Sequence, residues 1–194
     1  NINISSDDGV GSLLTVIFLG MFAVITPALI SGAVADRMKF AAWALFAPIW
    51  MLLVFAPVFK WVYGGWLGVR GSLDFAGGTA IHVNAGIAAL VAVVILGKRK
   101  GWPKEGHPPH SMPLVMIGTG ILWFGWFGFN AGSALGANGQ AVQAFMNTFL
   151  AAAAAGLAWA ITERIKDGHI TNLGAASGIV AGLVAITPAC GYVS

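Results

Sequence analysis

Residues 75–97 read FAGGTAIHVNAGIAALVAVVILG, and this stretch decides the fold class. It contains no Asp, Glu, Lys or Arg, and its polar and apolar positions do not alternate as they would in a strand. A helix needs about 20 mostly apolar residues to cross a bilayer. Because an open strand in lipid would leave its backbone groups unpaired, the run predicts a membrane-spanning helix.

Five further apolar runs resemble this one in length and composition. With it they predict six spans, at about 13–35, 40–59, 75–97, 111–132, 140–161 and 172–192. Only 9% of the 194 residues are charged, and 58% are hydrophobic. Soluble domains carry about 25% charged residues. We therefore predict an all-α, polytopic membrane protein, in which residues 1–194 belong to one transmembrane domain.

The basic residues alternate between the predicted loops and so indicate an orientation. Eight of the ten lie in the loops after the first, third and fifth spans: Arg37, Lys39, Lys98, Arg99, Lys100, Lys104, Arg164 and Lys166. The other loops contain only Lys60 and Arg70. Cytoplasmic loops carry the excess of basic residues, so we expect both ends of the chain on the outer side. The net charge of +3 forms no basic stripe, and no nucleic-acid partner is predicted.

A short sequence motif occurs in both the first and the last span. Residues 24–28 read VITPA, and residues 185–189 read AITPA. These two spans run in opposite directions, as a five-helix unit repeated with inverted topology would require, and such repeats are common in transporters. Coincidence is an equal alternative, since Thr-Pro pairs are frequent in membrane helices.

Two ionisable residues stand in or beside the third span. His82 lies between Ile81 and Val83, and an ionisable side chain inside a membrane helix marks a transport pathway more often than a packing site. A neutral imidazole both donates and accepts a hydrogen bond, so it suits a pore for a small polar solute. Asp74 precedes the same helix. We expect it first to cap the helix N-terminus, and second to attract cations.

Aromatic residues recur at helical spacing in two spans. Trp126, Phe129 and Ser133 follow an i, i+3, i+7 pattern and share one face, while Phe18 and Phe22 form an i, i+4 pair. Packing alone is the usual explanation for such stripes. Aromatic faces also attract a cation, and the nearby serine hydroxyl accepts a hydrogen bond from one.

Three aromatic residues lie near the outer end of the second span. Tyr63 is a candidate for the same cation site, whereas Trp61 and Trp66 are interpreted as an interfacial belt. No nucleophile–base pair, phosphate loop or redox motif occurs, so the sequence does not predict an enzyme. His107 and His110 lie in a proline-containing loop without a third ligand nearby, so no metal site is predicted.

Three long motifs resemble signatures of the ammonium transporter family, Amt/Mep/Rh, in its Amt/Mep branch. They are residues 74–86 with 97–99, residues 125–133, and residues 187–192. The resemblance implies an eleven-helix fold built on an inverted five-helix repeat, of which this chain covers the third to eighth helices. It also implies a homotrimer with one pore per subunit, no cofactor, and a PII-type regulatory protein as a partner at the cytoplasmic face of the plasma or inner membrane.

The resemblance also assigns functional residues. They are Phe18, Phe22, Tyr63, Trp126 and Ser133 for ammonium recruitment, Phe22 and Phe129 for the gate, His82 for the pore, and Asp74 for an electrostatic or structural role near the outer site. Tyr63 departs from the family, which usually has Trp at this position. The second pore histidine of the family has no counterpart within residues 1–194.

The resemblance implies transport of ammonium or ammonia. The cation is recruited at the outer aromatic site, loses a proton, and passes as ammonia beyond the phenylalanine gate and the pore histidine. The alternative is an ammonium sensor that uses the same fold to report occupancy to a partner. An unrelated secondary transporter would need carboxylates within its spans for coupling, and the apolar runs contain none.

Overall fold

The computed structural model describes the backbone of residues 7–194 and the side chains of residues 11–194, and every regular element in that range is a helix. The α-helices are α1 (Asp7–Val34), α2 (Phe40–Trp50), α3 (Ala56–Val62), α4 (Trp66–Val69), α5 (Asn84–Leu96), α6 (Met112–Gly132), α7 (Gly139–Asp167) and α8 (Asn172–Ile186). Two π-helical turns complete the set, Met51–Phe55 between α2 and α3, and Gly78–Val83 immediately before α5. The described part of the chain is thus all-α, as predicted.

Five helical segments of residues 7–194 are long and apolar enough to cross a membrane. They are Gly11–Val34, Phe40–Val69, Gly78–Leu96, Met112–Gly132 and Gly139–Asp167. The last apolar helix, Asn172–Ile186, is shorter. Apolar side chains such as Val94, Phe124 and Ile165 are more than 70% exposed, as expected for helices that face lipid or further helices.

Several predicted span boundaries differ from the structure. The second helical segment continues to Val69 and the fifth to Asp167, beyond the expected ends at residues 59 and 161. The sixth span was expected to continue to residue 192, but α8 ends at Ile186. Pro188 has no N–H to donate to the carbonyl of Val184, and the chain continues in tighter turns. The third span was expected from residue 75, but its helix begins at Gly78.

The contacts divide the chain into two compact units. Of the described residues, the first contains 7–72 together with Thr79–Glu105, and in it α1 packs against α5. The second contains Leu73–Gly78 and Gly106–Ser194, and in it α6, α7 and α8 pack against one another.

Glycine allows α7 and α8 to approach closely. A Cβ atom at Gly178 would lie 2.6 Å from the Cβ of Trp159, and one at Gly182 would lie 2.7 Å from the Cβ of Ala155. Both separations are shorter than real carbon contacts, so neither position accepts a larger side chain without a shift of α7. Small residues at helix interfaces are typical of membrane proteins.

Amide side chains of α7 hold the segment that follows α8. Gln140 donates to the carbonyl of Gly191 at 3.3 Å, and Asn147 donates to the carbonyl of Cys190 at 2.8 Å. The ring of Tyr192 meets Phe75 edge-on at a centroid distance of 5.4 Å. Residues 187–193 are therefore fixed to the second unit although they lie beyond α8.

Candidate functional site

In the first unit, four aromatic rings form a continuous row. Phe18 and Phe22 meet at 5.3 Å between centroids, Phe22 and Phe59 at 6.3 Å, and Phe59 and Tyr63 at 4.8 Å. Three of these residues were predicted as site residues, and the structure brings them into one row. Phe59, which connects Phe22 of α1 with Tyr63 at the end of α3, was missed. Its i, i+4 spacing from Phe55 and Tyr63 places the three rings on one helix face, but this spacing does not reveal the contact with Phe22.

The position of Phe22 is fixed by burial and by its own helix. Its side chain is only 2% exposed. The hydroxyl of Thr26, itself fully buried, donates to the carbonyl of Phe22 at 2.5 Å. This local bond satisfies the buried hydroxyl of Thr26. The next residue, Pro27, lies inside α1 and has no N–H to donate to the helix.

His82 lies within the π-helical turn Gly78–Val83 and is 8% exposed. Such wide turns are rare and occur frequently at functional sites. Gly78 is the first residue of the turn, and a Cβ at this position would lie 2.5 Å from the Cβ of Pro188. The start of the turn therefore packs directly against the segment after α8, at a position that has room only for glycine.

In the second unit, Trp126 and Phe129 form a tilted ring pair with centroids 5.5 Å apart. Trp126 is 2% exposed. Phe129 is partly buried and packs against two small clusters, one around Ala76 and Cys190 and the other around Leu183. The ring of Phe129 is thus supported on several sides, as a ring that must keep one position requires.

Thr187 holds the indole of Trp126. The Nε1–H of Trp126 donates to the Oγ1 of Thr187 at 2.9 Å, and this hydroxyl donates in turn to the carbonyl of Leu183 at 2.7 Å. Thr187 is fully buried. It was absent from the predicted site residues, although the repeated Thr-Pro pair had marked its position in the sequence.

The hydroxyl of Ser133 lies one residue past the end of α6. Its Oγ donates to the carbonyl of Phe129 at 2.9 Å. Because a carbonyl oxygen can only accept, this bond uses the single hydroxyl proton. The remaining lone pairs of Ser133 can therefore only accept hydrogen bonds, which suits a ligand that carries N–H groups.

Asp74 organises the backbone before the π-helical turn. It is 6% exposed, and its Oδ1 accepts a hydrogen bond from the N–H of Gly77 at 2.9 Å. The N–H of the next residue, Phe75, donates to the carbonyl of Pro188 at 3.0 Å. The carboxylate thus lies where a buried loop becomes a helix.

Within residues 7–194, no group of three or more His, Cys, Asp or Glu side chains is arranged to hold a metal ion. His107 and His110 lie in the loop between α5 and α6. The predicted site residues divide between the two units: Phe18, Phe22, Tyr63 and His82 belong to the first, and Asp74, Trp126, Phe129 and Ser133 to the second.

Comparisons with known proteins agree on one family. The family model described as Ammonium Transporter Family matches residues 2–194. A protein named Ammonium transporter from Aquifex aeolicus is 56% identical over 192 residues, which cover 98% of this chain and 45% of that protein.

Two solved structures extend the comparison to three dimensions. The crystal structure of Saccharomyces cerevisiae Mep2 has a TM-score of 0.86 and 44% identity, covering 93% of this chain and 42% of that one. A structure named Sensor Amt Protein has a TM-score of 0.82 and 32% identity, covering 89% of this chain and 46% of that one. The chain therefore spans less than half the length of each of these proteins.

Proposed function

Because this chain belongs to the ammonium transporter family, we propose that it forms part of a pathway that carries ammonium or ammonia across a membrane. The observation that carries this proposal is the family match, which runs through residues 2–194 without leaving any functional motif outside it. The relatives are transporters rather than enzymes, and the apolar helices make the chain a multi-pass membrane protein.

Recognition of the ion rests on rings and on one hydroxyl. Ammonium has nearly the size of potassium, so diameter cannot distinguish them, but only ammonium carries N–H donors. The faces of Phe18, Phe22 and Tyr63 attract a cation. Ser133 supplies an acceptor whose own proton is already bound to the Phe129 carbonyl. The ring of Tyr63 belongs to the continuous row with Phe59, which supports its use where the family usually has Trp.

Passage through the apolar interior favours the neutral species. A charged side chain at the centre of a bilayer costs about 2.5–3.5 kcal/mol or more. Loss of a proton at the recruitment site avoids this cost. Ammonia then passes the gate, to which Phe22 and Phe129 contribute, and meets the imidazole of His82, which offers it a polar partner. Asp74 contributes by holding the backbone before the His82 turn.

A transport assay tests this proposal. A full-length protein that contains these residues, purified and reconstituted into liposomes, should give an ammonium-dependent current or a change of internal pH. The 194-residue chain reconstituted alone should give neither, because it contains fewer than half the residues of its transporting relatives. Absence of any ammonium-dependent signal from the full-length protein, with folding verified, contradicts the proposed function.

The sensor alternative is supported by one structural relative, the Sensor Amt Protein. Its identity to this chain, 32%, is lower than the 44% of the yeast Mep2 structure, so it is not the better supported function. A sensor would bind ammonium without moving it. Saturable ammonium binding by the full-length protein, with no flux in the same liposomes, would favour sensing.

We propose that the loops rich in Lys and Arg face the cytoplasm. Lys104 and Ala137 lie in loops on opposite sides by this assignment, and both are exposed. In intact cells, a membrane-impermeant thiol reagent should label an A137C variant and miss K104C. The native Cys190 is fully buried and gives little background. Labelling of K104C without A137C would reverse the orientation.

The assembly is the last element of the proposal. Membership of the family supports a homotrimer with one pore per subunit, and a PII-type regulatory protein on the basic, cytoplasmic loops. The mass of the detergent-solubilised full-length protein tests the trimer. Retention of a purified PII-type protein on the immobilised transporter tests the regulator, and a monomeric mass or no retention would remove the corresponding element.

A further inference from the structure

We propose that Thr187 is a positioning residue that sets the Phe129 gate ring through the indole of Trp126. This inference rests on the proposed transport function. Its structural basis lies entirely in the second unit. It is a chain of contacts from the backbone of α8, through the Thr187 hydroxyl and the Trp126 indole, to the ring of Phe129.

The first step of the chain fixes the hydroxyl. Thr187 Oγ1 donates its proton to the carbonyl of Leu183 at 2.7 Å. The oxygen is therefore oriented with its lone pairs available, and its fully buried position excludes competing water. Thr26 donates in the same way to the carbonyl of Phe22 in α1.

The second step fixes the indole. Trp126 Nε1 donates to Thr187 Oγ1 at 2.9 Å, and both side chains are at most 2% exposed. An indole has two rotatable bonds. Packing restricts them, and one directed hydrogen bond selects a single ring orientation. The indole ring then lies 5.5 Å from the Phe129 ring, so a rotation of one displaces the other.

The third step fixes Thr187 itself in relation to α7 and to the loop before the His82 turn. The N–H of Phe75 donates to the carbonyl of Pro188, and Asn147 donates to the carbonyl of Cys190. Because the residues that follow Thr187 are held on both sides, its hydroxyl is a fixed reference point for the ring pair. A loss of this hydroxyl should therefore change the gate more than it changes the amount of folded protein.

The test uses T187V in the full-length protein, with T187S and T119V as comparisons. Valine keeps the shape of threonine and removes the hydroxyl, whereas serine keeps the hydroxyl. Thr119 is also buried and also donates to a carbonyl four residues earlier, that of Val115 at 2.8 Å. This bond stays within α6 and does not involve an indole, so T119V reproduces only the effect that T187V has on its own helix.

The readout is the ratio of ammonium to methylammonium flux, which does not depend on the amount of protein in the membrane. Loss of one buried hydrogen bond corresponds to about a threefold to tenfold change, and we expect T187V to change the ratio by that factor. T187S and T119V should keep the wild-type ratio. A T187V ratio equal to that of wild type, or a T187S ratio equal to that of T187V, overturns the inference.

A double-mutant cycle covers the case in which T187V folds poorly. In a W126F background the donor is absent, so T187S and T187A should then give the same flux ratio as each other, whereas in the Trp126 background they should differ. An equal difference in both backgrounds overturns the inference. Transport by the wild-type protein is measured in the same series, so its absence identifies a failure of the proposed function instead.

Discussion

The F129A variant of the full-length protein is expected to lose selective ammonium uptake. The Phe129 ring packs on Trp126 and on the clusters around Ala76 and Leu183, and truncation to Ala removes the ring that we place in the gate. Loss of the ring either opens the pathway to hydrated ions or lets the pathway collapse. Either result changes the ratio of ammonium to potassium flux. We expect a change of tenfold or more, which corresponds to about 1.4 kcal/mol. Liposome flux with each ion alone measures this ratio.

The competing explanation is that Phe129 only packs. Truncation of a fully buried phenylalanine costs about 3–5 kcal/mol of stability. Even part of that cost, at the partly buried Phe129, would lower the amount of protein. F127A is the matched control, because Phe127 lies on the same helix and stacks on Phe145 at 4.1 Å. F129L keeps most of the volume and removes only the ring. An unchanged ion ratio in both Phe129 variants would remove this residue from the mechanism.

The second large effect is expected for H82L. Leucine has a volume near that of histidine and preserves packing, but it offers ammonia no hydrogen-bond partner. An unpaired polar group in an apolar setting costs on the order of 2–7 kcal/mol. Even the lower bound corresponds to more than a tenfold loss of flux. We therefore expect ammonium flux through H82L to fall by at least about tenfold, at a melting temperature close to that of wild type.

Two comparisons make the His82 prediction specific. H169L changes a histidine in the loop between α7 and α8, whose Nδ1 lies 2.9 Å from the carbonyl oxygen of Asp167, and it should leave the flux unchanged. H82N restores a donor and an acceptor, and it should recover flux or alter the coupling of protons to transport. If H82L transports at the wild-type rate, His82 lies outside the conduction path.

Much of the candidate site was accessible from the sequence because helices impose a fixed spacing. The i, i+4 relation of Phe18 and Phe22 and the i, i+3 relation of Trp126 and Phe129 each became a direct ring contact. Phe59 was missed for a physical reason. Its importance arises from contacts with Phe22, far away in the sequence, and no local pattern on α3 identifies which neighbour a ring will meet.

The sequence by itself determined that the chain is all-α, that it belongs in a membrane, and which family it resembles. These properties depend on the length of apolar runs, on backbone pairing in lipid and on long motifs, all of which are local. Only the tertiary structure decided that a π-helical turn carries His82, and that Thr187 holds the indole of Trp126. These features depend on hydrogen bonds and close contacts between segments distant in sequence, such as Gly78 against Pro188, and local spacing does not encode them.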